Sequence, residues 1–170
     1  MSFETLATNR YSCRSFSTQR VDPALVDKLL EVALLAPTAA NRWPLHLYVI
    51  ESDQAIEGVR NATRYHFDAT LFILVCYDQE KVWERRVDGE NSGIDDASIV
   101  GCHLMFEVEE LGLGTTWVKH FDPEALREGL SLPDHLVPVC LFPIGYKAPD
   151  AEPAKSHTIR PRVEDVVSKI

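Results

Sequence analysis

The sequence is short of positive charge: 26 acidic side chains stand against 17 basic ones, for a formal net charge of -9. A chain with that balance repels nucleic acid and anionic membrane, so any anion it holds must meet a local cluster of bases. No apolar run approaches the roughly 20 residues needed to cross a bilayer. The start also lacks the charged, apolar and small-residue order of a secretory leader. The expectation is a soluble cytoplasmic protein that engages neither membrane nor nucleic acid. The four cysteines contain no C-x-x-C pair; three sit in apolar runs, where Cys behaves as a small hydrophobe, and all are read as reduced thiols. The six histidines show no H-E-x-x-H pair and no spacing of i, i+4, so no metal site is expected. G-x-S-x-G and P-loop patterns are missing as well, which leaves acid-base or covalent catalysis without an evident carrier.

No repeat, low-complexity segment or linker divides the 170 residues, of which 45% are hydrophobic and 25% charged. One domain spanning 1–170 is expected, long enough to bury roughly 70% of its unfolded surface without a disulfide or metal. Ser2 caps a first helix to about Thr8. Asp22 caps a second, with Pro23 in its first turn and Val21 and Val26 as a staple. Its buried face carries Val26, Leu29, Leu30, Ala33 and Leu34, and it stops at Ala36-Pro37. "LHLYVI" (45–50) reads as a strand and a short helix follows Ser52. "TLFILVCY" (70–77) is an unbroken apolar run that suits a central strand covered on both faces. After a loop at 88–93, a long helix runs from Asp95, apolar nearly all round in its first half and so buried between layers or subunits. "TTWVKHF" reads as a strand or extended segment, and Asp122-Pro123 opens another short helix. "VPVCLFPIGY" (137–146) is a last strand whose Pro138 implies an edge or interrupted pairing. Helices and strands mix without regular β-α-β alternation. From Lys147 the chain is polar and proline-rich, with only Ile159, Val163, Val166, Val167 and Ile170 as anchors. It is either a disordered terminus or an arm that embraces something.

Three stretches invite a functional reading. "LGLGTT" (111–116) imitates a dinucleotide-binding glycine loop but has a helix before it, a strand after it and Trp at 117, so Gly112 is read as the left-handed residue ending the long helix. "NRYSCRSF" (9–16) places Arg10, Ser12 and Arg14 on one side of an extended chain, where they could converge on one anion. Taken alone this could equally be solvated surface charge. Arg160 and Arg162 repeat the alternation at the far end, and the guanidinium fork matches phosphate oxygens, so two such clusters could clamp one phosphate. "APTAANRWP" (36–44) is either a plain helix-to-strand turn or a place where small residues let backbone approach a flat ligand beside Asn41.

Together these pieces resemble a family. "RYSCRSF", "APTAAN", "ELGLGTTWVKHFD" and "FPIGY" followed by "RPR" are similar, in order and over nearly the whole chain, to the motifs of the FMN-dependent nitroreductases. The resemblance implies an α+β, nitroreductase-like three-layer fold. Its mostly antiparallel central sheet would be flanked by helices, in an intertwined homodimer with FMN at the subunit interface and residues 147–170 reaching across the partner. It assigns Arg10, Tyr11, Ser12, Arg160 and Arg162 to the phosphate and ribityl end, and Arg14 to the pyrimidine side of the ring. Pro37, Thr38, Ala39 and Asn41 form a turn supplied by the partner, and Trp117, Val118, Lys119 and His120 a strand end whose backbone N–H groups face the flavin.

A bound flavin would account for the missing triad and metal, since the cofactor itself carries hydride chemistry. The implied activity is ping-pong hydride transfer from NAD(P)H, through flavin N5, to a nitroaromatic, quinone or similar small acceptor. The alternative is an FMN-binding protein with little turnover, a sensor or carrier. Three departures from the family pattern bear on this choice: Trp43 stands where Gln is usual, Lys119-His120 replaces a glycine-containing pair, and 61–68 lacks a Lys/Asn pair.

Overall fold

A computed structural model describes residues 2–170. At its centre is β2 (Leu71–Asp78), paired antiparallel with β1 (Leu45–Ile50) on one side and β4 (Leu136–Tyr146) on the other. β3 (Leu113–Thr115) completes an antiparallel sheet of order β1-β2-β4-β3. Because side chains alternate along a strand, β2 sends Leu71, Ile73 and Val75 into one core and Phe72, Leu74 and Cys76 into another. The first core is roofed by α2 (Pro23–Ala33) and α4 (Gly93–Glu110), the second by α3 (Asp53–Ala62) and α5 (Pro123–Leu130). Two helical layers therefore sandwich the sheet, in the expected α+β three-layer arrangement with a central strand covered on both faces.

The predicted caps hold. Side chains of Ser2, Asp22, Ser52 and Asp122 accept backbone N–H bonds at the starts of α1 (Phe3–Asn9), α2, α3 and α5, satisfying donors that have no partner within the helix. Boundaries differ where tertiary geometry intervenes. α2 ends at Ala33, short of Ala36, because its last turn tightens to bonds three residues back, Leu35 N–H to Val32 and Ala36 N–H to Ala33. Leu34, expected on the buried face, is 60% exposed. α4 starts at Gly93, earlier than Asp95, since Asp96 N–H already bonds Ser92 O at 2.8 Å. Its expected all-round burial is only half met: Ala97, Val100, Gly101, Leu104 and Val108 are buried, while Ile94 and Ile99 are 52% and 37% exposed.

β3 was not foreseen as a strand apart from "TTWVKHF". That segment shares Thr115 with β3 and is otherwise extended, rejoining the sheet at one point, where Val118 and Leu141 exchange both backbone bonds at 2.9 Å. Gly112 takes φ +73 after α4, as its reading as a helix stop requires. Pro138 sits where Val75 and Cys76 lose register with β4. Pairing is interrupted there as expected; β4 nonetheless lies inside the sheet along its C-terminal half, where β3 covers it.

The opening stretch runs beside β3. Ser12 bridges Thr115 in parallel and Cys13 N–H donates to Thr115 O at 2.9 Å. So close an approach needs a glycine opposite, for a Cβ on Gly114 would lie 2.8 Å from Cys13 Sγ. Among the described residues no helix is long and apolar enough to cross a membrane.

Candidate functional site

Two adjoining hollows open beside β3, and Arg14 lines both. The first, about 190 Å³, lies between the opening stretch (Arg10, Tyr11, Ser12, Arg14) and the tail (Ser156, His157, Arg160). The two ends of the chain meet here through their own hydrogen bonds. Tyr11 hydroxyl donates to Ala151 O at 3.2 Å, and His157 Nε2 lies 3.2 Å from Thr8 O. Lys147 fixes the base of the tail, with Nζ 2.9 and 2.8 Å from the Glu109 carboxylate and 5.0 Å from the Tyr11 ring centroid. Burial, then the neighbouring Cys13, raises the Tyr11 phenol above its ordinary range, so it stays a donor. Arg10 Nε is buried and has no hydrogen-bond partner.

The second hollow, about 200 Å³, is lined by Trp117, Val118, Lys119 and His120 on one strand end and by Tyr65 and Phe67 from the loop after α3. Trp117 is held edge-on, its ring 5.1 Å from Phe142, and a Cβ on Gly101 would strike it at 2.8 Å. The Tyr65 ring stands against His120 at 5.3 Å and Phe67 at 6.1 Å. Thr63 ties loop to strand end by donating its hydroxyl to His120 O at 2.6 Å. Neither hollow is lined by Asp or Glu. A hollow about twice that size, 390 Å³, near Val21 and Leu71 is lined by Arg20 and Glu51, whose charges offset one another.

The structure thus brings together Arg10, Tyr11, Ser12, Arg14 and Arg160 at a polar end, and Trp117, Val118, Lys119 and His120 at a flatter one. Two of the expected residues are held differently from the rest. Val118 N–H is committed to Leu141 O, so it cannot face a ring as its neighbours could. Arg162 lies outside both hollows, 72% exposed at its side chain and ion-paired with Asp165 at 2.9 Å and Glu164 at 3.4 Å. Its only helical context is the one-turn α6 (Val163–Val166).

Pro37, Thr38, Ala39 and Asn41 line neither hollow. They form a 3-10 turn (Ala39–Asn41) in which Ala40, Asn41 and the nearby Trp43 have φ of 51, 52 and 51°, left-handed values that cost non-glycine residues energy. Buried Asp96 holds the turn by accepting Ala39 N–H at 2.7 Å, and Thr38 Oγ1 accepts Trp43 N–H at 3.1 Å. Sequence reasoning missed Tyr65 and Phe67, whose only signal was alternate aromatic residues in "RYHFD", and missed His157 beside the arginines of the tail.

A sequence model described as the nitroreductase family matches residues 7–71 and 65–146. A protein of Methanothermobacter thermautotrophicus, provisionally named NADH dehydrogenase/NAD(P)H nitroreductase, is 29% identical over 152 residues, covering 85% of this chain and 76% of its own. A nitroreductase family protein from Clostridium difficile 630 superposes with a TM-score of 0.93 at 40% identity, covering 99% of this chain and 98% of its own. An FMN-dependent nitroreductase from Clostridium difficile R20291 shares the fold at a TM-score of 0.71 and 24% identity, covering 91% and 96%.

Proposed function

The chain belongs to the nitroreductase family, and we propose on that footing that this NAD(P)H-dependent oxidoreductase binds FMN across the two joined hollows to reduce a nitroaromatic, quinone or similar small acceptor. The observation that carries the reading is a pair of hollows of different chemistry that share Arg14. Three arginines (Arg10, Arg14, Arg160) and Ser12 line a space without a carboxylate, and Arg14 also lines a second hollow walled by Trp117, Tyr65 and Phe67. A buried donor left unpaired costs about 1–3 kcal/mol. Arg10 Nε is such a donor, and a phosphate oxygen would accept from it.

In this reading Arg10, Ser12 and Arg160 hold the phosphate, the guanidinium forks matching its oxygens. Arg14, placed at the junction, sets a positive charge beside the pyrimidine side of the ring. Backbone at Trp117, Lys119 and His120 lies along the ring, while Val118 anchors that strand end to β4. Tyr65 and Phe67 keep water from the outer wall. FMN held by these residues would supply the redox chemistry, hydride transfer between the nicotinamide and the acceptor in a ping-pong cycle.

The strained turn at Pro37, Thr38, Ala39 and Asn41 reaches neither hollow of its own chain, so we assign it to the site of a second copy. We take residues 1–170 as one domain, with 147–170 as an arm whose exposed Ile159, Val163, Val166, Val167 and Ile170 pack on the partner. FMN-loaded protein should bleach under NADH or NADPH without oxygen and regain its colour with menadione or nitrobenzene. A yellow protein that stays yellow for minutes under both donors would instead be the flavin carrier.

A further inference from the structure

The hollow that would receive the ring and its acceptor is rimmed by positive charge. Lys119 lines it along with Arg14. Arg64 stands beside it, its guanidinium 4.9 Å from the Tyr65 ring centroid and its Nη2 donating to the Tyr65 hydroxyl at 2.7 Å. The nearest carboxylates along the chain are committed elsewhere. Asp68 faces His66 at 3.4 Å, and Asp122 accepts N–H bonds from Glu124 and Ala125 at 2.9 and 3.2 Å as the cap of α5. Lys119 makes no ion pair among the described residues, whereas Arg14 is occupied by the Ser12 carbonyl at 3.0 Å. In a chain of net charge -9 this is a local reversal of sign. A cleft of one sign with apolar walls concentrates ligands of the other.

We propose that the acceptor is an anionic aromatic compound, a nitroaromatic or quinone bearing a carboxylate or similar group. Its flat ring enters over the flavin from the side of Tyr65 and Phe67, and its charge meets Lys119, with Arg64 flanking. This rests on the oxidoreductase reading of the same site. For 4-nitrobenzoate the reaction consumes one NAD(P)H and one proton: the nitro group gains two electrons, one N–O bond breaks, and the oxygen leaves as water. Nitrosobenzoate and NAD(P)⁺ remain, and the carboxylate is unchanged. The same cations could in principle read the 2′-phosphate of NADPH. That group is separated from the nicotinamide by most of a dinucleotide, however, while Lys119 lines the ring hollow itself.

The test compares 4-nitrobenzoate with the nearly isosteric but neutral 4-nitrobenzamide in wild type, Lys119→Gln, Arg64→Gln and the double variant. Wild type should favour the benzoate in KM. Each variant should lose about two- to fivefold of that preference, the size expected of an exposed ion pair, with the kcat ratio little changed. Added salt should shrink the wild-type preference. Unreducible benzoate and benzamide, titrated against FMN-loaded protein by the visible flavin spectrum or against the bare chain by tryptophan fluorescence, should show the same ranking without turnover. Equal binding of the two in wild type, or a preference that survives in the double variant, overturns the proposal. So does a change confined to the NADPH-to-NADH ratio, which would place the cations on the donor. Absence of turnover with both nitro compounds would count against the oxidoreductase reading alone, because the benzoate titration still decides this one.

Discussion

Arg10 and Arg162 were indistinguishable in the sequence, two arginines in matching alternation, yet the fold gives them different surroundings. Arg10 lines the polar hollow with its Nε buried and unpartnered, whereas Arg162 already spends its guanidinium on Asp165 through two bonds of 3.1 and 2.9 Å. The Asp165 carboxyl is correspondingly held below its usual range by that hydrogen bond. A charge-assisted bond contributes about 1.5–3 kcal/mol. Arg10→Ala should therefore weaken FMN binding by about tenfold or more, and Arg162→Ala by less than about twofold, read as dissociation constants from quenching of FMN fluorescence. Equal losses in the two variants would mean that Arg162 leaves Asp165 for the phosphate when the cofactor binds.

At the scale of elements, what the sequence made legible was whatever depends on near neighbours. Helix starts at Ser2, Asp22, Ser52 and Asp122 announce themselves because a cap bonds within three residues. β2 does so because burial on both faces leaves an unbroken apolar run. The Arg10–Arg14 alternation was visible for the same reason. What escaped was set by partners distant in the chain. β3 is three residues long, too short for a period, and exists because β4 is beside it. Tyr65 and Phe67 become walls only once α3 and α5 place their loop against the strand end. The α3–α5 contact itself is glycine on glycine, and a Cβ on Gly58 would lie 2.8 Å from the Gly129 carbonyl oxygen. Helix propensity alone makes Gly58→Ala stabilising by up to about 1 kcal/mol. Overpacking against rigid backbone costs about 1–3 kcal/mol, so the substitution should lower stability by up to about 2 kcal/mol once that gain is subtracted, seen as a reduced urea midpoint at unchanged slope. Asp96 is the other such partner. Asp96→Ala leaves Ala39 N–H and the Ser92 hydroxyl, which donates to it at 2.7 Å, without an acceptor. A loss of about 1–3 kcal/mol is expected, with faster amide hydrogen exchange confined first to residues 37–43.

For the whole molecule, the unfinished surface is the outward side of α4 and its surroundings. Ile94 and Ile99 are 52% and 37% exposed there, Phe3 is 68% exposed with its ring 5.1 Å from Phe106, and Leu34 and Leu35 are exposed at the end of α2. We propose that a second copy of the chain packs over these exposed apolar side chains. The turn at 37–41, which lines neither hollow of its own chain, is what a second copy would contribute on the same proposal. Cys102, between Ile99 and Phe106 on α4, offers a probe of that surface. Cys13, Cys76 and Cys140 are buried, and burial pushes the Cys76 thiol up to about 12 and raises Cys140 as well, so none of the three should react in the folded state. Cys102 is exposed on the single chain and should be shielded when two chains join. Light scattering should give wild type twice the mass of the chain, with no thiol reacting readily in native buffer. Ile99→Glu, which places a charge on the interface but leaves both cores untouched, should give the single mass, one reactive thiol per chain and FMN binding weakened by at least about tenfold. A single-mass variant that keeps full FMN affinity would mean that one chain completes its own site, and the assignment of the 37–41 turn to a partner would fail with it.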